Sequence, residues 1–263
     1  MAKHSSTHVD CLVGAKLGES FATDARDYIN SIRPLDVISF SGLNTYKMFG
    51  GFWNRRDLSF HRHPNAQPES IPSGAFAGQS VPQAVRGYGA SRFAALIYGS
   101  NNRKFFDEAK LTVDDALILF FKEMSMLFQG TGFDVVFIST IFPRIDDINE
   151  RNELRTNVKR FNDELLSVPN RAFKYHIKIT DKDGVERRLH WVPVDMTDVL
   201  PYGDIRNLKY FCEENSNRRK KDRVHVNATY LEIYYRKLDE AINRYKRGRK
   251  LRKAGAKKAA LKS

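Results

Sequence analysis

Residues 134–142 read Asp-Val-Val-Phe-Ile-Ser-Thr-Ile-Phe, and this stretch decides the fold. The run is almost wholly apolar or β-branched, and Pro143 ends it. A strand with one solvent-exposed face would alternate apolar and polar residues, whereas a strand that is buried on both faces is apolar throughout. The stretch therefore predicts a central strand with cover on both sides.

Helices are predicted on either side of this strand along the chain. Thr112 is a preferred N-cap residue and Asp115 follows three positions later, which together predict a helix over residues 113–128. A second, amphipathic helix is predicted from about 149 to 166. Its apolar stripe consists of Leu154, Val158, Phe161 and Leu165.

Further strands are predicted on both sides of this unit. They are the runs 9–13, 36–42, 93–98 and 185–194. The last run is joined to residues 173–180 through Asp183-Gly184, a dipeptide typical of hairpin turns. Strands that alternate with helices predict a mostly parallel sheet with helices on both faces. We expect a three-layer α/β/α fold, flavodoxin-like, with a mostly parallel five-stranded sheet and an added hairpin.

Two regions depart from this pattern. Residues from about 50 to 92 are rich in proline and glycine, which break regular elements. We expect an irregular insertion there, either a flap over a site or a mobile surface loop. Residues 244–263 contain ten basic residues and no acidic one, so we expect a disordered basic tail after a domain that spans 1–243.

The net charge of +13 comes mostly from that tail, since 13 − 10 leaves about +3 for the rest of the chain. A segment this basic predicts non-specific, salt-dependent binding to nucleic acid, although basic chain ends are often merely solvated. Cys11 and Cys212 indicate neither a disulfide framework nor a metal site. With no apolar signal core and no apolar run of membrane-spanning length, we expect an intracellular protein, cytoplasmic or nuclear.

A carboxylate and an imidazole lie three residues apart near the predicted last helix, in Asp222-Arg223-Val224-His225. A carboxylate can fix the tautomer of an imidazole, which then takes a proton from a nucleophile. Taken alone, such a pair in a basic loop is more often solvated than catalytic.

Polar segments also follow three predicted strands. They are Gly18-Glu19-Ser20, Gly42 and Gly99-Ser100-Asn101-Asn102. In open parallel sheets the ligand site forms at the carboxyl ends of the strands, near a reversal in strand order. We therefore expect these segments and the Asp222–His225 loop to meet at one edge of the sheet.

Taken in order, these segments resemble the four sequence blocks of the SGNH (GDSL-type) esterase and lipase superfamily. Gly18-Glu19-Ser20 resembles the Gly-Asp-Ser block, Gly42 the glycine of block two, and Gly99–Asn102 the Gly-x-Asn-Asp block. Asp222-x-x-His225 resembles the closing Asp-x-x-His block, and residues 139–143 resemble the strand and proline typical of these proteins.

The resemblance implies a role for each residue. Ser20 would be the nucleophile, His225 its general base and Asp222 the residue that orients the imidazole. The backbone amides of Ser20 and Gly42 and the side-chain amide of Asn101 would form the oxyanion hole. The implied reaction is ester hydrolysis through an acyl-serine intermediate, without metal or cofactor.

Alternatives remain at several positions. Glu19 and Asn102 stand where the family usually has Asp. The segment from Leu12 to Lys16 could itself occupy block one, which would put Lys16 at the nucleophile position and describe an inactive scaffold that binds nucleic acid or another polyanion. Ser20 could also be a helix N-cap, and Asn101 a turn residue.

Overall fold

The structure is a computed structural model, and it describes residues 11–16, 37–41, 44–71, 76–87, 93–97, 111–141, 152–167, 175–199, 211–214, 217–226 and 228–260. Within these ranges the strands are β1 (Cys11–Lys16), β2 (Val37–Ser41), β3 (Gly51–Trp53), β4 (Phe60–Arg62), β5 (Phe93–Ile97), β6 (Val135–Ser139), β7 (Ile177–Thr180), β8 (Glu186–Val194), β9 (Phe211–Glu214) and β10 (Asn217–Val226). The helices are α1 (Thr45–Phe49), α2 (Val81–Arg86), α3 (Val113–Leu127), α4 (Asn152–Ser167) and α5 (Ala228–Ala260).

Six strands form the central sheet, in the order β2-β1-β5-β6-β8-β7. The first five are parallel to their neighbours, and β7 is antiparallel to β8. The parallel strands therefore follow the order 2-1-3-4-5 of a flavodoxin-like sheet. The prediction of a five-stranded, mostly parallel sheet with an added hairpin is confirmed.

Strand β6 lies at the centre of the three layers, as its apolar run predicts. Successive side chains of a strand point to opposite faces, and Val136 and Ile138 lie in the buried cluster that contains residues of α3 and α4. Val135 and Phe137 lie in the buried cluster on the other face, which contains residues of α5. Helices therefore cover both faces of the sheet.

Helix α5 packs across β5, β6 and β8 on one of these faces. Its buried residues on this face are Tyr230, Tyr234, Leu238, Ala241 and Ile242. Helical spacing of three and four residues places them on one stripe. Near the start of α5, the Lys237 ammonium pairs with Asp198 at 2.5 Å, and Asp198 follows β8. Helix α5 thus starts at the carboxyl edge of the sheet.

The outer edge of β7 is closed by the end of α3. The Lys178 amide donates to Ser125 Oγ at 2.9 Å, the Thr180 amide to Gln129 Oε1 at 2.8 Å, and the Gly130 amide to the Thr180 carbonyl at 2.8 Å. These bonds satisfy backbone groups that an open edge strand would offer to another chain.

The β7–β8 turn forms at Asp183-Gly184, as the sequence predicts. Gly184 has a φ of 79°, a conformation that costs glycine little. The Asp181 carboxylate accepts from the amides of Asp183 and Val185 at 2.9 and 3.0 Å. These donors, with the Arg187 guanidinium, lower the pKa of Asp181.

The insertion is an ordered subdomain in its described parts, contrary to our expectation of an irregular segment. A buried carboxylate on α3 fastens it to the body, because Glu123 accepts from Trp53 Nε1 at 2.8 Å. Glu123 also accepts from the hydroxyl of Thr45 on α1, just before the insertion. The buried apolar residues Ile71, Val81 and Val85 of the insertion join the α3 cluster. Proline and glycine interrupt local periodicity, but these long-range contacts order the chain.

The expectation of disorder from Arg244 onward also differs from the structure, in which α5 continues to Ala260. The Tyr245 ring lies 6.2 Å from Phe93 and 5.4 Å from His190, and Arg249 pairs with Asp134 at 3.4 Å. Tyr245 and Arg249, both beyond residue 243, therefore contact the sheet and the residue just before β6. No helix in the described ranges is long and apolar enough to cross a membrane.

Candidate active site

Three strands that precede predicted site residues are neighbours in the sheet. Strand β1 lies between β2 and β5 and pairs with both, Gly14 facing Ser39 on one side and Ile97 on the other. Parallel strands end at the same edge, and neighbours are about 4.8 Å apart. Ser20, Gly42 and Asn101 lie outside the described residues, but the strands before them end side by side.

The same three strands contain the reversal in strand order. The chain goes from β1 outward to β2, and then returns to the other side of β1 with β5. Open α/β sheets bind ligands at the carboxyl end of such a switch point. The segment that contains Ser20 begins there, because β1 is the strand on which the order turns.

Lys16, the alternative to Ser20, is the last residue of β1. It still pairs with Ser41, the last residue of β2. The sequence Gly14-Ala15-Lys16 is therefore part of the strand, whereas Ser20 comes four residues after it. The segment that leaves the carboxyl edge after β1 thus starts at position 17.

Asp222 and His225 lie on a strand rather than in the loop that the sequence predicts. Both belong to β10, which pairs with β9 outside the central sheet. The pairing is irregular: between Lys221 and Val226 the chain advances five residues on β10, against two from Glu213 to Phe211 on β9. Asp222 to His225 thus lie where the β9–β10 register shifts, so four residues of β10 stand against one of β9.

A buried amide holds the segment that follows β6 at the carboxyl edge. Asn162 on α4 accepts from the Ile141 amide at 2.9 Å and donates to the Ile141 carbonyl at 2.7 Å. Next to it, the Thr140 hydroxyl accepts from the Met196 amide at 3.0 Å, which ties the end of β6 to the residues after β8. Asn162 is a site-positioning residue that was not predicted from the sequence. It could have been found as a polar residue one helical turn after Val158, beside the apolar stripe of the helix.

Tyrosines on the first turns of α5 lie buried near this edge. Burial, followed by the nearby Asp198 carboxylate, raises the pKa of Tyr230 above its usual range. Burial likewise raises the pKa of Tyr234 and Tyr235. These phenols therefore stay neutral at physiological pH.

A serine, a histidine and an aspartate also come together in the insertion, but they do not form a triad. The Ser59 hydroxyl donates to the Asp57 carboxylate at 2.6 Å and lies 2.8 Å from His61 Nε2. A triad needs the histidine between the other two, so that the imidazole can take the serine proton. Here the serine is in the middle and its proton is held by the carboxylate. The group is also exposed.

In the described part of the chain, no group of three or more His, Cys, Asp or Glu side chains comes together that could hold a metal ion.

The chain was compared with known proteins at three levels. No family model matches it, and no curated protein matches it. A solved structure described as a candidate platelet activating factor from Streptococcus pneumonia is similar over 91% of this chain and 86% of that chain, with 10% sequence identity and a TM-score of 0.44.

Proposed function

We propose that the chain is a serine esterase of the SGNH type, acting through an acyl-serine intermediate. The observation that carries this proposal is the adjacency of β2, β1 and β5 at the switch point. The sequence blocks with Ser20, Gly42 and Asn101 each follow one of these three strands. A catalytic serine and its oxyanion donors need this proximity, since they must reach the two sides of one carbonyl group.

In the proposed reaction His225 accepts the Ser20 proton while the Ser20 oxygen attacks the ester carbonyl. The oxyanion that forms is stabilised by the amides of Ser20 and Gly42 and by the Asn101 side chain. His225 then donates the proton to the departing alcohol, and a water attacks the acyl-serine by the same route. Asp222 holds the imidazole in the correct tautomer and stabilises its charged form.

Ester hydrolysis by the purified protein tests this proposal, with a short p-nitrophenyl ester as substrate. Ser20→Ala and His225→Ala are each expected to lower kcat/KM by about 10⁴-fold or more, because the nucleophile and its base act as a unit. Lys16→Ala should keep the activity. Activity that survives Ser20→Ala would show that Ser20 is not the nucleophile and that its assignment to block one is wrong. A folded parent protein without activity would favour the Lys16 register, which describes an inactive scaffold.

The exposed Ser59–His61 pair provides a matched control. It offers the same two residue types, but in an arrangement that does not activate the serine. Ser59→Ala and His61→Ala should therefore leave kcat/KM within about twofold of the parent. Loss of activity in these variants would locate the hydrolysis in the insertion and overturn the proposal.

A second candidate is a catalytically inactive SGNH-like scaffold that binds nucleic acid through its basic C-terminal region. The observation in its favour is the helical form of residues 244–260, which contain nine of the ten basic residues counted from Arg244 onward, all except Lys262. A folded protein that binds an oligonucleotide but hydrolyses no ester would support it. An intracellular location, cytoplasmic or nuclear, is part of both proposals.

A further inference from the structure

The β7–β8 hairpin carries basic side chains on the same side of the sheet as α5. Ile177, Ile179 and Leu189 are buried in the cluster that contains residues of α3. Alternate residues of a strand point to opposite faces, so Lys178, Arg188 and His190 lie on the α5 side. Lys178 and Arg188 are both exposed.

Two positive charges face each other directly on this surface. Lys178 and Arg188 are partners in the β7–β8 register, and the Arg188 Nη1 atom lies 3.2 Å from His176 Nε2. Like charges at paired positions of neighbouring strands destabilise a sheet. Partial burial, followed by the positive charges of Arg188 and Lys178, lowers the pKa of His176. Glu186 lies on the same face, but it pairs with Thr180 near the turn.

The basic part of α5 adjoins this hairpin face. The Tyr245 ring lies 5.4 Å from His190 on β8, whereas Lys246 Nζ lies 5.5 Å from the centre of the Phe93 ring, on the β5 side of the helix. Arg249 pairs with Asp134, the residue just before β6, at 3.4 Å. Since Val135 is the register partner of His190, these contacts bring α5 alongside the part of β8 that contains Arg188.

We infer that the hairpin residues Lys178 and Arg188 and the exposed basic residues Arg244, Arg247 and Lys250 of α5 form one surface that binds the phosphate backbone of nucleic acid. Phosphates placed between the facing cations would offset their repulsion and release counterions. We call this surface of the hairpin and α5 the basic face. This inference extends the second candidate function from the helix to the hairpin, and it rests on that candidate rather than on the esterase.

A nucleic acid fits this surface better than a lipid membrane does. Interfacial helices insert a stripe of bulky apolar residues into the bilayer. Beyond Arg244, α5 offers only Tyr245 and Leu251 as large apolar residues, and Tyr245 is packed against the sheet. The charges therefore act without an apolar stripe that could insert.

The salt dependence of binding tests the basic face. A labelled single-stranded oligothymidylate is titrated with the full chain, and binding is followed by fluorescence anisotropy at several salt concentrations. Each phosphate contact contributes about −0.7 to the slope of log K against log salt for single strands. The double variant Lys178→Gln/Arg188→Gln should therefore make this slope less negative by about 1.4.

The matched control removes the same charge from the opposite side of the sheet. Arg56→Gln/Arg62→Gln alters two exposed arginines of the insertion, which is fastened to α3. Both double variants reduce the formal net charge from +13 to 13 − 2 = +11. The control should keep the parent slope. Equal slopes for the hairpin and control variants would overturn the inference, because net charge alone would then explain binding.

A variant of the helix separates the inference from the second candidate. Arg244→Gln/Arg247→Gln/Lys250→Gln reduces the charge of the helix alone. Binding lost in this variant but unchanged in the hairpin variant would keep the helix as the binding site and reject the shared surface. Unchanged binding in both would reject the two together, as would tighter binding to phosphatidylserine vesicles than to the oligonucleotide.

The thermal stability of the hairpin variant shows whether weaker binding comes from lost contacts or from unfolding. Lys178→Gln/Arg188→Gln removes a repulsive pair, so its midpoint of thermal unfolding in low salt should equal or exceed that of the parent. A lowered midpoint would show that the two side chains stabilise the hairpin, and would count against a site kept for a ligand.

Discussion

The two halves of helix α5 differ in what they contact. Up to Asn243 the helix buries one apolar stripe against β5, β6 and β8, and this part is called the inner half. From Arg244 to Ala260, the outer half, it carries nine basic residues and no acidic one. One continuous backbone thus begins at the carboxyl edge of the sheet and runs past its amino edge, where Arg249 pairs with Asp134.

This difference shows that helix formation and packing are separate matters. Lysine, arginine and alanine are good helix formers, so the outer half can continue a helix that the inner half has already nucleated. Repulsion between cations four residues apart, such as Lys246 and Lys250, disfavours helix formation in the outer half. The outer half beyond Arg249 extends about 16 Å at the helical rise per residue.

The largest expected effect compares one substitution in the two halves. Leu238 is 1% exposed and Leu251 is 73% exposed. Leu238→Ala should lower the free energy of unfolding by about 2–5 kcal/mol, because it removes buried methyl groups and leaves a cavity. Leu251→Ala should change it by less than about 0.5 kcal/mol.

Urea unfolding followed by circular dichroism measures both variants. Similar losses would mean that the outer half is packed as tightly as the inner half, and the distinction between the halves would fail.

A smaller effect is expected from a buried phenol of the inner half. Within the described part of the chain, the Tyr234 hydroxyl is buried and has no hydrogen-bond partner. Tyr234→Phe removes the cost of burying that group, and should raise the free energy of unfolding by about 1 kcal/mol at neutral pH.

The pH dependence of the same variant follows from the raised pKa of Tyr234. Burial, followed by the neighbouring Tyr235 and Tyr230, raises this pKa in the folded protein above the ordinary 10.0. The unfolded chain therefore ionises first, so stability is fully present below pH 10 and is lost as the pH rises above it. Tyr234→Phe should unfold at a higher pH than the parent, and an alkaline titration of ellipticity measures this. Identical alkaline midpoints would contradict the assignment.

The smallest effect belongs to the ion pair near the boundary between the halves. Arg249 and Asp134 lie 3.4 Å apart, and their side chains are 41% and 34% exposed. Solvent screens such pairs, so a double-mutant cycle with Arg249→Gln and Asp134→Asn should give a coupling of at most about 1 kcal/mol. Coupling well above this value would mean that the ion pair, rather than the buried stripe, holds the outer half in place.

Much of the sheet could be read from local sequence. The apolar run of β6, the Thr112 cap of α3 and the Asp183-Gly184 turn are confirmed. Each depends on residues within a few positions of one another. The Thr112 hydroxyl, for example, accepts from the Asp115 amide at 3.1 Å.

The structures of the insertion and of the end of α5 could not be predicted from local sequence. Proline, glycine and charge are local signals, and they predicted irregular or disordered chain in both places. Glu123 lies more than fifty positions from Thr45 and Trp53, the residues at and near the start of the insertion that bond to it. In the same way, Tyr245 contacts Phe93 and Phe137, which are remote in sequence.

The candidate active site shows the same division. The sequence by itself determined the residue types and their order, from Ser20 through Gly42 and Asn101 to His225, because a block is a property of consecutive residues. Tertiary structure alone decided that β2, β1 and β5 are neighbours, and that Asp222 and His225 lie at a register shift of the β9–β10 pair. The physical reason is that strand pairing joins backbone groups distant in the chain, so no local spacing specifies which strands become neighbours.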